Sequence, residues 1–225
     1  MKILICGDSW TEGYGVKPNE TWPNFIGHEF ITTARCGASN NEIVEQFLKN
    51  YDNSFDAVII GWSGITRFKV EDRMNEFSLV DDKTIEFFKN ISMLDILDTW
   101  DNYIQTILSK SKVPLIQYSV FGDIPKIKYN NFLETSYLDF LAKKSGVLFK
   151  YKIPMFEFDW LNEGNYKLTK PFADKYFNKD WEKACVEREE IRPSKYFLDC
   201  GHPNLEGHRL WAQHIKDVLN DIFSK

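Results

Sequence analysis

Ile3, Leu4, Ile5 and Cys6 form an unbroken apolar run that stops at Gly7. A strand with one face in water alternates apolar and polar residues, so a strand without alternation needs cover on both faces. Parallel sheets enclosed by helices supply that cover. The run Ala57, Val58, Ile59 and Ile60 ends in the same way at Gly61, and residues 113 to 120 form a third strand that ends near Gly122. Gly146, Val147, Leu148 and Phe149 suggest a fourth, and residues 30 to 34 a weaker one. Between these runs the apolar positions change to helical spacing, over residues 40 to 51, 91 to 110, 133 to 144 and 205 to 223. Strands that alternate with helices pair in parallel through right-handed crossovers. The expected fold is α/β, a three-layer α/β/α sandwich around a central, mostly parallel sheet.

A length of 225 residues with 43% apolar content fits one domain over residues 1 to 225. Two stretches break its rhythm: residues 67 to 89 are charged and weakly periodic, and residues 151 to 192 mix nine aromatic side chains with polar ones. Both read as insertions at the carboxyl ends of strands, where open α/β sheets bind ligands. The second reads equally as a cap over the site or as a peripheral helical layer. A net charge of -5 argues against a nucleic-acid partner, and the short run Lys126-Ile127-Lys128 does not reverse that. Cysteines at 6, 36, 185 and 200 show neither zinc spacing nor a disulfide framework, so reduced thiols are expected. The opening residues leave no room for a separate signal segment, and no run reaches the ~20 apolar residues of a membrane span. The expectation is a soluble, cytoplasmic protein of open oligomeric state. Abundant Lys, Asn, Phe and Ile fit an AT-rich coding sequence, of a phage or a low-GC bacterium, and carry no mechanistic weight.

Ser9 follows the first strand directly, at the edge of the sheet where ligands bind. A serine there has two readings: cap of the following helix, or nucleophile. A serine nucleophile needs a base, and Asp199 and His202 stand three apart on one loop just before the last helix. His202 is the candidate base, since an imidazole with an unperturbed pKa near ~6.5 both takes and returns a proton. Asp199 would orient its ring. The plain alternative is a surface histidine in a loop that starts a helix capped by Asn204. His28, His208 and His214 match no metal signature and read as structural.

Gly7-Asp8-Ser9, Gly37 within Gly37-Ala38-Ser39-Asn40, and Asp199-x-x-His202 followed by Pro203-Asn204-x-x-Gly207-His208 together resemble the GDSL or SGNH hydrolase family. The resemblance runs from end to end of the chain. It implies a flavodoxin-like fold and a serine esterase that works without metal or organic cofactor on small acyl esters, among them O-acetyl groups on carbohydrates, or lipid esters. It also implies an oxyanion hole. The Ser9 amide is one donor and Gly37 a second, although Gly37 also reads as a turn before a helix capped by Ser39. The family's third donor is an asparagine in a G-x-N-D block, and here the block reads Gly61-Trp62-Ser63-Gly64. Ser63 takes the asparagine's place with a side chain about one heavy atom shorter, and Asn40 or Asn41 are alternative donors. Trp62 and Arg67, just past the same strand, read as a packed tryptophan and a solvated arginine or as substrate contacts. Cys6, Cys36 and Cys200 flank site elements and read as small hydrophobes. The alternatives to a hydrolase are a binding or structural protein that keeps the fold with weakened catalysis, and an acyltransferase. Neither G-x-G-x-x-G nor a P-loop is present at the first turn.

Overall fold

Four strands form the sheet of the computed structural model, which describes residues 1–64, 67–70, 73–75, 93–120, 132–145, 195–198 and 201–224. They are β1 (Lys2–Cys6), β2 (Glu29–Thr32), β3 (Ala57–Trp62) and β6 (Leu115–Ser119), in the order β2-β1-β3-β6 with every pair parallel. A short antiparallel pair, β4 (Phe68–Val70) and β5 (Arg73–Asn75), follows β3 at its carboxyl end. The third strand is shorter than the apolar run of residues 113 to 120. Pro114 has no amide hydrogen, and its carbonyl instead accepts from Val58 at 2.9 Å, just outside the strand. The fourth strand read at 146 to 149, the insertion at 151 to 192 and most of the one at 67 to 89 lie outside the described residues.

Alternate residues of each central strand feed two separate cores. Leu4, Cys6, Val58 and Ile60 pack against Ile43 and Phe47 of α2 (Asn40–Asn50) and against Trp100, Ile104 and Ile107 of α3 (Met93–Lys110). Ile3, Ile5, Ala57 and Ile59 face the other way, onto Tyr137 and Leu141 of α4 (Tyr137–Lys144) and Trp211, Ile215 and Leu219 of α5 (Leu205–Phe223). This is the three-layer arrangement expected of continuous apolar strands. Both long flanking helices start at caps legible in the chain. Ser39 and Glu42 form a capping box on α2, and the Asn204 side chain accepts from the Gly207 amide at 3.0 Å on α5. No described helix is long and apolar enough to cross a membrane.

His208 lies in the second core, fully buried. Its Nδ1 accepts from the Trp22 amide at 3.3 Å and stands 3.1 Å from the Tyr137 hydroxyl. Burial, with a smaller contribution from the charge of His202, pushes its pKa down from 6.5 to about 3. The folded chain therefore keeps this imidazole neutral, while the unfolded chain protonates it near 6.5. Stability is unaffected above that pH and is lost as pH falls toward about 3, by about 1.4 kcal/mol per unit within the window. His208→Gln keeps an acceptor for the Trp22 amide but cannot be protonated. Between pH 7 and pH 5 wild type is expected to lose about 2 kcal/mol more than this variant in urea unfolding; equal losses would contradict the buried neutral imidazole.

Candidate active site

The chain leaves β1 through Gly7 and Asp8 and enters α1, a single turn over Ser9–Glu12. Asp8, not Ser9, caps that turn: its Oδ1 accepts from the Trp10 amide at 3.0 Å. The capping alternative for Ser9 is thus taken by its neighbour, and the serine side chain is left for another partner. Ser9 Oγ lies 3.0 Å from Nε2 of His202, across 193 residues of chain. Ser9 is almost wholly buried and His202 half-buried.

Gln46 of α2 holds the approach to the turn with both ends of its amide. Its Oε1 accepts from the Gly7 amide at 2.9 Å and its Nε2 donates to the Gly7 carbonyl at 3.1 Å. Nothing in the sequence marks Gln46, because an amide on a helix face becomes informative only once the strand end beside it is known. Beneath α1, the Thr11 and Tyr118 hydroxyls are 2.9 Å apart. Gly61 of β3 passes under this pair, and a Cβ there would stand 2.4 Å from the Tyr118 oxygen and 2.8 Å from Thr11 Oγ1.

His202 sits in a loop closed on itself. Phe197 bridges to Pro203, the Leu198 amide donates to the His202 carbonyl at 2.8 Å, and the Asn204 amide donates to Tyr196 at 2.9 Å. Asp199 and Cys200 belong to this loop by sequence and lie outside the described residues. Two rings adjoin the imidazole, Tyr14 with centroids 4.9 Å apart and Trp10 at 6.1 Å. The sequence reading missed Tyr14 as a site residue. Its place between two glycines, Gly13 and Gly15, four and six positions after Ser9, was the available signal.

The oxyanion candidates come from three neighbouring strand ends. Beyond β2, the Thr33 and Arg35 amides donate to Ile5 and Gly7, extending the pairing with β1 until the chain turns between Arg35 and Ala38. Gly37 lies in that turn with φ +75, and no protein atom comes within 4 Å of the place a Cβ would take. The backbone conformation requires glycine here, and the space beside it is open to a ligand. The Glu12 carboxylate accepts from the Cys36 amide and ties this turn to α1. Both ends of the Asn40 amide hold the chain beyond β3: its Oδ1 accepts from the Ser63 amide at 3.0 Å and its Nδ2 donates to the Gly64 carbonyl at 2.9 Å. Asn41 accepts from the Ser39 hydroxyl at 2.7 Å. The Ser63 hydroxyl is buried and has no hydrogen-bond partner among the described residues.

Arg67 differs from the solvated arginine of the sequence reading. Its side chain is 13% exposed, and its guanidinium lies 3.8 Å from the wholly buried carboxylate of Asp8, the residue before Ser9. Trp62 is packed: its indole NH donates to Gln117 at 2.9 Å and its ring meets Trp100 edge-on at 4.6 Å. Neither described thiol is activated. Burial pushes Cys6 up to about 12, and burial together with Glu12 and Asp8 raises Cys36 against the opposing pull of Arg67. His214 stacks on Phe140 at 4.7 Å, in a structural role like that of His208. No group of three or more metal-ligating side chains occurs among the described residues.

Fold and site together define an α/β protein with a serine–histidine pair at the carboxyl edge of its sheet, between two strands whose connections leave in opposite directions. Solved structures similar to the chain include the esterase EstA from a Pseudoalteromonas species, at 10% identity and TM-score 0.48 with 100% of this chain and 99% of that one covered. A member of the lipolytic protein G-D-S-L family from Veillonella parvula is similar at 16% identity and TM-score 0.43, covering 100% and 99%. The lipase/acylhydrolase from Enterococcus faecalis is similar at 15% identity and TM-score 0.41, covering 96% and 95%. No family model matches the chain, and no curated protein matches it.

The support beneath α1 is testable without a substrate. Gly61→Ala is expected to destabilise the protein by roughly 1–3 kcal/mol in urea unfolding, because the new methyl overlaps the Tyr118 and Thr11 hydroxyls. Combined with Tyr118→Leu, which removes both the hydroxyl and the ring carbon that bears it, it is expected to cost less than the sum of the two single changes. A Gly61→Ala protein as stable as wild type would show that the contact is not tight.

Proposed function

We propose that the chain is a serine esterase of the SGNH type that hydrolyses small acyl esters, O-acetyl groups on carbohydrates among them. The observation that carries the reading is the 3.0 Å contact between Ser9 Oγ and His202 Nε2 at the ligand-binding edge of the sheet. For Nε2 to accept the hydroxyl proton, Nδ1 must carry the ring's hydrogen, and Asp199 is the residue assigned to hold that tautomer. Ser9 Oγ attacks the ester carbonyl while His202 takes its proton. The tetrahedral intermediate then collapses, His202 gives the proton to the leaving alcohol, and Ser9 keeps the acyl group. Water, deprotonated by the same imidazole, attacks the acyl carbonyl and releases the acid with Ser9 restored. This chemistry needs neither a metal nor an organic cofactor.

Charge on the carbonyl oxygen would be met by the amides of Ser9 and Gly37 and by the Ser63 hydroxyl. Two facts support Ser63. Gly61, two residues earlier, faces Thr11 of α1, so strand alternation carries position 63 out on the nucleophile's side. In addition, a buried hydroxyl without a partner is destabilising by about 1–3 kcal/mol, a cost that a donor held for the transition state explains. Ser63→Ala is therefore expected to lower kcat on p-nitrophenyl acetate by about 100-fold while leaving stability equal or higher. An unchanged kcat would remove Ser63 from the hole.

The reading as a whole is tested by intact mass after treatment with a fluorophosphonate, which reports an activated serine without knowledge of the substrate. Wild type is expected to take one label, and Ser9→Ala and His202→Ala none. Folded wild type that takes no label would contradict the esterase reading.

A further inference from the structure

Tyr14 is 51% exposed, yet the backbone around it is firmly placed. Its amide donates to the Ser9 carbonyl at 2.9 Å, which ties it to the nucleophile's own residue. Gly13 and Gly15 on either side both have φ +89, a conformation that L side chains rarely adopt. A side chain at Gly13 would collide with Thr21, and one at Gly15 would have to push aside the tip of the Leu198 side chain. A Cβ at Gly13 would stand 2.2 Å from Thr21 Cγ2, and one at Gly15 would stand 2.5 Å from Leu198 Cδ1, on the loop that carries His202. Two left-handed glycines pressed against protein thus hold between them an aromatic ring that faces water. That ring adjoins the imidazole, with centroids 4.9 Å apart and planes tilted by 49°.

The chemistry proposed for the site gives this placement a meaning. His202 Nε2 must deliver its proton to the alcohol oxygen of the ester, so that oxygen comes within hydrogen-bond reach of the imidazole. The carbon framework attached to it then lies beside whatever exposed surface borders the ring. The acyl oxygen, by contrast, is turned toward the amides of Ser9 and Gly37. Resting on the esterase reading, we propose that Tyr14 forms the wall of the leaving-group subsite and selects esters whose alcohol portion carries a flat or ring-shaped apolar face. Such a face packs its C–H groups or π surface against the phenol ring and displaces water from it. A short alkyl alcohol is too small to cover that surface. The hydroxyl of Tyr14 has no part in this contact; the ring does.

The test compares benzyl acetate with ethyl acetate, which share an acyl group and have unactivated alcohols of similar leaving ability. Both esters pass through the same Ser9–His202 pair, so the ratio of their kcat/KM values cancels any general disturbance of the base. Tyr14→Ala is expected to lower the benzyl-to-ethyl ratio by about fivefold to tenfold, and Tyr14→Phe to retain it. An equal fall on both esters would overturn the proposal and leave Tyr14 as a prop for His202. A ratio unchanged in an active Tyr14→Ala enzyme would overturn it as well. Wild type that labels with fluorophosphonate yet shows no preference between the esters defeats this inference alone, whereas wild type that neither labels nor turns over either ester defeats the esterase reading beneath it.

Discussion

The contact between Ser9 and His202 joins side chains 193 residues apart, and a hydrogen bond between groups so distant in the chain forms only if both ends are already held. One end is the centre of the sheet: β1 lies between β2 and β3, and the turn that follows is gripped by Gln46 and capped by Asp8. The other end is the start of α5. Trp10, adjacent to Ser9, links the two. Its ring meets Tyr137 edge-on at 5.2 Å and Phe197 at 6.0 Å, while Tyr137 stacks on Trp211 of α5 at 4.4 Å. Phe197 in turn bridges to Pro203, beside His202. The indole is thus part of the core and of the link between Ser9 and the His202 loop at once, and removing such a buried ring typically costs about 3–5 kcal/mol.

Strand order decides what else reaches the pair. With β1 and β3 side by side, β2 on the outer flank of β1 and β6 on that of β3, the chain leaves β1 and β3 in opposite directions and opens a crevice between their carboxyl ends. Ser9 stands after β1, Gly37 after β2 and Ser63 after β3, so three adjacent strand ends supply the proposed nucleophile and the candidate oxyanion donors. Asn40 ties the Ser63–Gly64 backbone to the start of α2, and Glu12 ties the Gly37 turn to α1. A buried carboxylate next to a nucleophile would oppose the negative charge that develops during attack. Arg67 beside Asp8 offsets that charge.

The sheet was legible because strands covered on both faces have no polar alternation; β1 stops before Gly7 as the sequence suggests, whereas β3 runs on through Gly61 to Trp62, where it still pairs with β6. The caps of α2 and α5 were equally legible, since Ser39 with Glu42 and Asn204 act within a few residues. What escaped were contacts made between elements. Asp8 rather than Ser9 as the cap depends on which side chain the turn directs inward. Gln46, the Asn40 clamp and the Asp8–Arg67 pair depend on which strand ends the helices and loops adjoin. Arg67 read as solvated because its charged neighbours in sequence are no guide to the carboxylate it meets in space. Tyr14 looked like one more aromatic in an aromatic-rich chain, and only its position against His202 distinguishes it. Of the triad suggested by the sequence, the serine and the histidine are brought together, and Asp199 lies outside the described residues.

The central claim is that Ser9 carries the acyl group between two chemical steps. Rapid acid quench of the protein during turnover of p-nitrophenyl acetate, followed by peptide mapping, tests it directly. An acetyl group located on Ser9 that appears before the steady state and is absent from His202→Ala would bear the account out. Acetylation at Cys36 or at another site, or turnover with no covalent intermediate on Ser9, would contradict it.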